Sequence, residues 1–238
     1  MNAKNGRAQL NHAQIAKLEA ETQSIWLDVK LREEGVKSAR LEREMLELTR
    51  DRALVDERVW HAQSLFTREY RFSGPISYAT REFRDTVTPC IETLTAWARF
   101  SPREPIKIIL DTPGGDAFAG MTLYGFLDGL KNRGHALTIE GQGLVASMGS
   151  ILLQVASHRL LGRESMMLIH EVGGSGHGSY GDLQDTMTLL TKLQDRVITI
   201  FLAKSKLDRA TFVSRWARKD WWLTAAEALE AGFIDEVV

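Results

Sequence analysis

A serine in the second half of this chain has the surroundings of a nucleophile for acyl-transfer chemistry. Ser147 lies in "GLVASMGS", between small residues and directly before the apolar run "ILLQVA". A serine hydroxyl becomes reactive beside a base, with backbone N–H groups directed at the developing oxyanion. A strand-to-helix turn would supply such groups, because the first N–H groups of a helix have no partner within it. The stretch therefore indicates either a nucleophile or a serine that caps a buried helix.

His170 is the histidine best placed to act as the base. It ends the apolar run "MMLI", where a strand tip would hold the imidazole rigidly, and it precedes the glycine-rich segment "GGSGHGSYG". A histidine hydrogen-bonded at a sheet edge is the alternative interpretation. The other histidines lie in turns, at a helix end, in the glycine run or in the charged N-terminal segment: His12, His61, His135, His158 and His177.

A carboxylate is the third group that such chemistry requires, because it fixes the tautomer of the imidazole and stabilises its protonated form. Asp220 stands out modestly, because "KDWWLT" places it beside two aromatic residues at the start of an extended segment. The sequence offers five candidates and does not choose among them: Asp111, Asp116, Asp182, Asp220 and Asp235.

The motif "DTPGGDAFAG" is a second place where backbone groups would face a ligand. After an apolar strand, Pro-Gly-Gly forces a turn whose backbone can approach a ligand closely, and the following helix supplies further N–H donors. It would hold an oxyanion or an extended peptide, with an ordinary turn as the alternative. The motif contains no basic residue and no P-loop pattern, which argues against a nucleotide phosphate.

Strand and helix patterns alternate from about residue 66 to the end of the chain. Strands are predicted at "IKIILDT", "ALTIEG" and "MMLIHEV", and helices at "REFRDTVTPCIETLTAWARF", "AFAGMTLYGFLDGLKNRG", directly after Ser147 and from Asp182 to Lys204. The last helix carries a capping box, Thr224 with Glu227, and ends at Gly232. This alternation predicts an α/β layered domain over residues 66–238.

Residues 1–65 differ in composition and predict a long charged helix. Acids and bases alternate, proline is absent, and apolar residues recur at steps of mostly three, four or seven: Ile15, Leu18, Ile25, Val29, Val36, Leu41, Met45, Leu48, Val55 and Val59. Gly35 is the expected position of any break. The apolar stripe would be buried either on the chain's own domain or on a coiled-coil partner.

Composition limits the class of protein. The 238 residues are 44% hydrophobic and 26% charged, which fits one soluble domain with an appendage. A net charge of -1 disfavours nucleic acid as a partner. Cys90, the one cysteine, excludes an internal disulfide and a cysteine-based metal cluster, and is expected to be an apolar filler. Without a signal-peptide core or eighteen uninterrupted apolar residues, the sequence predicts a cytoplasmic protein without a membrane anchor.

Four segments resemble, in order, the signature segments of the Clp protease proteolytic subunit family: "LDTPGGDAFAGMTLYGFLDGL", "GLVASMGSILL", "MLIHEVGGSGHGSYGDL" and "DWWLTAAEALEAGFID". The resemblance covers about residues 66–238. It implies the α/β fold that this family shares with the crotonases, built from repeated β-β-α units and here preceded by the helical extension. It also implies that Ser147 is the nucleophile, His170 the general base and Asp220 the orienting acid, with the backbone N–H groups of Gly115 and Met148 as the oxyanion hole.

The same resemblance implies a serine endopeptidase that needs no metal or cofactor. Polypeptide substrates would be cleaved inside paired, stacked seven-membered rings, and a separate AAA+ ring would supply any ATP-driven unfolding. Glu171-Val172 follows the histidine where family members usually have Gln-Pro, which adds a carboxylate near the site. The alternatives are a catalytically silent ring subunit, a virus-type capsid-maturation peptidase with a scaffold-like helix, and a crotonase-type acyl-CoA enzyme.

Overall fold

The computed structural model describes residues 12–80 and 83–238, and only the backbone for 12–16 and 48–65. In these residues the helices are α1 (His12–Thr67), α2 (Val87–Phe100), α3 (Ala117–Asn132), α4 (Met148–Leu153), α5 (Tyr180–Leu202), α6 (Arg209–Trp216) and α7 (Ala225–Ala231). The strands are β1 (Glu69–Ser73), β2 (Ile106–Thr112), β3 (Leu137–Ala146), β4 (His158–Leu161), β5 (Met166–Ile169), β6 (Trp221–Thr224) and β7 (Glu236–Val237). The chain divides into two compact units, residues 1–62 and 63–238. The expected boundary after residue 65 stays a prediction.

Helix α1 runs through Gly35 without interruption, so the break considered at that residue is wrong. All side chains from residue 17 to 47 are exposed, and the surface that would bury the predicted stripe stays an open prediction. Ion pairs between residues four apart, such as Arg32 with Asp28 and Arg40 with Glu44, line this surface. The side chains of the predicted stripe residues Ile15, Leu48, Val55 and Val59 lie outside the described ones.

The second unit is built on one seven-stranded sheet, whose main path runs β1-β2-β3-β4-β7 with every pair parallel. The ten-residue strand β3 has two successive neighbours: residues 138–141 pair with β4, and residues 144–146 pair with β5. Strand β6 then pairs antiparallel with β5. This mixed α/β fold with a helical N-terminal segment confirms the predicted fold class, and its split β3 brings the end of β5 beside the end of β3.

The core lies on both faces of the sheet, as expected for parallel strands covered by helices. In β2, Ile106, Ile108, Ile109 and Leu110 are all buried. Buried side chains of α2 and α3 belong to this core, and aromatic rings join α5, α6 and the C-terminal segment: the Phe212 ring centroid lies 5.5 Å from that of Phe201 and 6.1 Å from that of Phe233. Cys90 is fully buried in this core, as predicted, and burial raises the pKa of its thiol.

Three strands were absent from the sequence-based prediction: β1, the two-residue β7, and β4, which forms where a helix end was expected. Strands β1 and β4 pair with the long central strands and β7 pairs with β4, so distant parts of the chain supply their partners. Strand β4 also carries the buried Arg159, whose Nε donates to Asp235 Oδ2 at 3.1 Å.

The ends of two helices test the predicted boundaries. Helix α2 begins at Val87 rather than at residue 81, because Asp85 accepts hydrogen bonds from the N–H groups of Val87 and Thr88. Arg81 and Glu82, included in the predicted helix, lie outside the described residues. The Thr224–Glu227 capping box and the left-handed Gly232 at the end of α7 are confirmed.

In the described part of the chain, no helix combines the length and apolarity needed to cross a membrane.

Candidate active site

Ser147 lies at the turn between β3 and α4, which confirms the predicted strand-to-helix junction. Its φ of 53° and ψ of -120° form a combination that few residues other than glycine adopt, and such strain is concentrated at functional sites. The backbone is held there because the Ser147 N–H donates to Leu168 O of β5 at 2.9 Å. The side chain is half-buried, and among the described residues its hydroxyl has no hydrogen-bond partner.

The Pro-Gly-Gly turn after β2 packs directly against this serine. A Cβ placed on Gly114 would lie 2.6 Å from the Ser147 Cβ and 3.0 Å from the Met148 nitrogen, and its φ of +93° also favours glycine. Thr112 holds the turn, since its Oγ1 accepts from the Gly114 N–H at 3.1 Å and donates to Gly74 O at 2.7 Å. The sequence motif therefore brings backbone groups close to Ser147, as predicted for a turn that approaches a ligand.

Gly115 and Met148 line the same pocket as Ser147, and their backbone N–H groups have no acceptor among the described residues. Met148 is the first residue of α4, so its N–H has no acceptor within the helix. The residues on either side of Gly115 are tied to Ile76, which donates to Gly114 O and accepts from the Asp116 N–H, both at 2.8 Å. Two available donors beside a serine are what a developing oxyanion requires.

His170 directly follows β5 and is half-buried. Because Ala146 is paired with Leu168 in the parallel β3–β5 ladder, Ser147 and His170 both lie just beyond the ends of neighbouring strands. Ser147, His170, Gly115 and Met148 line one pocket of about 320 Å³. In the described part of the chain, the imidazole makes no hydrogen bond with the serine hydroxyl.

Asp220 lies next to this group but outside the pocket. It precedes β6, and Ile169 pairs with Trp221 in the antiparallel β5–β6 ladder, so the next step of the ladder would place His170 opposite Asp220. Its side chain is exposed and does not line the pocket. No hydrogen bond joins it to His170 among the described residues. The structure thus brings four of the five predicted site residues to one pocket, and relates Asp220 to His170 only through the register of β5 and β6.

The other four candidate carboxylates accept hydrogen bonds that fix local structure: Asp111 from the Leu144 N–H, Asp116 from the Ala119 N–H at the start of α3, Asp182 from Ser179 at the start of α5, and Asp235 from Arg159. For Asp235, burial alone would raise the pKa, but the hydrogen bonds and charge of Arg159 outweigh burial and lower it. Of the five candidates, Asp220 is the one that the register of β5 and β6 would place opposite His170.

The remaining walls of the pocket are apolar or glycine-rich. They include Met121, Ile151, Leu190, Leu193, Gly173 and Gly174. Glu171 and Asp116 add carboxylates to the lining. Sequence reasoning missed two residues that hold the backbone near the site. Thr112 holds the Gly114 turn and stands inside the DTPGG motif, where only the turn residues drew notice, whereas Gln194, which holds the segment after His170, stands in no distinctive local motif. Within the described residues, no group of three or more His, Cys, Asp or Glu side chains could hold a metal ion.

The chain is similar to known proteins of one family. The family model described as Clp protease matches residues 74–238. An ATP-dependent Clp protease proteolytic subunit 1 of Chlamydia trachomatis is 26% identical over 201 residues, 83% of this chain and 96% of that protein. A Bacteroides thetaiotaomicron proteolytic subunit is 32% identical over 141 residues, 58% of this chain and 61% of that protein. A Treponema pallidum proteolytic subunit 2 is 28% identical over 186 residues, 76% and 87% of the respective chains.

Proposed function

Because the chain belongs to the Clp protease family, we propose that it is a serine endopeptidase that hydrolyses peptide bonds in polypeptide substrates. One observation carries this proposal: Ser147, His170 and the residues that own two available N–H donors, Gly115 and Met148, line the same pocket. A nucleophile, a base and an oxyanion hole around one cavity are the minimum set for acyl transfer.

In the proposed reaction, His170 accepts the Ser147 proton as the hydroxyl oxygen attacks the peptide carbonyl carbon. The N–H groups of Gly115 and Met148 donate to the resulting oxyanion. The His170 imidazolium then protonates the leaving amine, and the C–N bond breaks to leave an acyl-enzyme. A water molecule, deprotonated by His170, releases the acyl group and restores the serine. Asp220 would orient the imidazole once its side chain turned toward His170, which the register of β5 and β6 would place opposite it.

A catalytically silent ring subunit is the second candidate. The observation that favours it is the absence, among the described residues, of hydrogen bonds joining the Ser147 hydroxyl, the His170 imidazole and the Asp220 carboxylate. The active enzyme is favoured because Ser147 and His170 line one pocket and the strand register would place Asp220 opposite His170.

The proposal extends to assembly and partners. We propose a homo-oligomer of paired seven-membered rings in the cytoplasm, served by a separate AAA+ unfoldase, with residues 1–65 as an appended helical segment that forms a coiled coil. The similar proteins named as proteolytic subunits of an ATP-dependent protease support this arrangement. So do the exposed apolar side chains on α5, Tyr180, Leu183, Met187 and Leu189, which a neighbouring copy would cover.

Cleavage of an unfolded protein and of fluorogenic peptides tests the proposed function. Ser147→Ala should abolish cleavage and leave the mass of the assembly unchanged in light scattering. Ser214→Ala is the matched control, because Ser214 is exposed on α6 and does not line the pocket. Cleavage by Ser147→Ala at the wild-type rate would exclude the proposed mechanism.

A further inference from the structure

The pocket that holds Ser147 is lined by negatively charged and apolar side chains. Its lining includes two carboxylates, Asp116 and Glu171, and no lysine or arginine among the described residues. Most of the remaining lining is apolar. A side chain that suits such a pocket is apolar along its stem and positively charged at its end. Lysine and arginine have this character, since their methylene stems pack against apolar surface while the head group remains charged.

The two carboxylates differ in how far they are already used. Asp116 caps α3, and its Oδ1 accepts from the Ala119 N–H at 2.7 Å. Glu171 is half-buried, and its Oε1 accepts from Gln194 Nε2 at 3.3 Å. Gln194 is itself fixed, because its Oε1 accepts from the Val172 N–H at 3.1 Å. The second Glu171 oxygen has no partner among the described residues, so this carboxylate is positioned and available to pair with a cation.

The position of Glu171 relates it to the bond that would be cleaved. It follows His170 directly, and it shares with Ser147 a cavity of only about 320 Å³. We propose that the side chain of the substrate residue whose carbonyl lies at Ser147 enters this cavity, and that Glu171 selects substrates with lysine or arginine at that residue. The proposal rests on the peptidase function proposed above.

The physical basis is a charge interaction in a partly desolvated cavity. A carboxylate and an ammonium group attract more strongly there than on an open surface, where solvent and salt screen them. The aliphatic walls, which include Met121, Ile151 and Leu193, would contact the stem of the substrate side chain. The same carboxylate would repel glutamate or aspartate, which gives the pocket selectivity in both directions.

Two matched peptide series test the assignment on the full-length protein. The peptides differ only at the residue before the cleaved bond, which is lysine or norleucine, so the stem is similar and only the charged head changes. For wild type, we expect kcat/KM to be about tenfold higher for lysine. Glu171→Gln should lower this lysine-to-norleucine ratio about tenfold, because glutamine retains an oxygen for Gln194 and removes the charge. Glu164→Gln, exposed and outside the pocket, should leave the ratio unchanged.

A charge reversal adds a gain that misfolding could not produce. Glu171→Lys should raise kcat/KM for a glutamate peptide relative to norleucine. Equal ratios in wild type and Glu171→Gln, with the norleucine peptide cleaved and Ser147 labelled by a fluorophosphonate, would overturn this inference and leave the proposed function intact. Failure of wild type both to cleave either peptide and to be labelled at Ser147 would overturn the proposed function and this inference together.

Discussion

Ser147 is held by its backbone rather than by a side-chain hydrogen bond. Its N–H donates to Leu168, and its carbonyl oxygen accepts from the N–H groups of Ser150 and Ile151. These contacts offset an unfavourable φ and ψ that cost of order 1–3 kcal/mol in a residue other than glycine. This backbone conformation holds Ser147 at the turn, in the pocket that Gly115 and Met148 also line.

This strain predicts a difference between two inactive variants. Ser147→Gly removes the nucleophile and relieves the backbone strain, whereas Ser147→Ala removes the nucleophile and retains the strain. Despite the greater entropy of glycine in the unfolded chain, we expect Ser147→Gly to have a free energy of unfolding about 1 kcal/mol higher than Ser147→Ala. Urea unfolding of both variants at one protein concentration measures the difference. An equal or lower value for Ser147→Gly would show that the strain relieved does not exceed the entropic cost of glycine, contrary to this prediction.

The sequence predicted some of the site because local patterns carry it. Ser147 and His170 each stand where an apolar run meets a turn, and both positions are confirmed as strand ends. Asp220 could not be chosen from five aspartates by local pattern, since its relation to His170 depends on the pairing of β5 with β6, strands separated by the whole of α5 and α6. Short strands such as β4 escaped prediction for the same reason.

At the scale of elements, the site depends on the contact between the turn after β2 and the turn after β3. Strand β3 places Ser147. Its register against β2 shifts after the Leu110–Gly141 pair, where residues 142–144 of β3 lie opposite the single residue Asp111, and Thr112 then pairs with Val145. The Gly114 turn then lies against Ser147 with no room for a side chain. The separation of these two turns therefore determines whether the oxyanion donors and the hydroxyl face one substrate carbonyl.

Gly114→Ala tests this contact. The added Cβ would lie 2.6 Å from the Ser147 Cβ, so one of the two turns must shift, and we expect kcat/KM to fall at least about a hundredfold, since small misplacements of catalytic groups have effects of this size. Gly125→Ala in α3 is the control, because its Cβ would meet nothing within 4 Å and alanine favours the helix. Peptide cleavage by Gly114→Ala equal to that of Gly125→Ala would contradict the proposed geometry.

At the scale of the whole molecule, helix α1 presents apolar side chains to solvent within a single chain. Leu18, Ile25, Trp26, Val36 and Met45 are all more than half exposed. A long helix gains most of its stability in water from packing an apolar face, and the coiled-coil partner proposed above would cover these side chains. Composition and period predicted the helix, but one sequence could not show which surface covers it.

We therefore expect Trp26→Glu to weaken association through α1. Its side chain is 72% exposed in the single chain, and a charge there would be costly only if a partner covers it. Light scattering should give a smaller assembly, and amide hydrogen exchange should be faster over residues 17–47. Ser24→Glu, which adds the same charge on the opposite face of the helix, is the control and should change neither quantity. Unchanged mass and exchange in Trp26→Glu would show that no partner covers this position.

Intact-mass spectrometry after incubation with a fluorophosphonate measures whether the Ser147 hydroxyl is activated. We expect one adduct on the wild type, none on Ser147→Ala and a much smaller fraction on His170→Ala, because the base raises the reactivity of the hydroxyl. An adduct on Ser147→Ala equal to that of wild type, or none on assembled wild-type protein, would contradict this expectation.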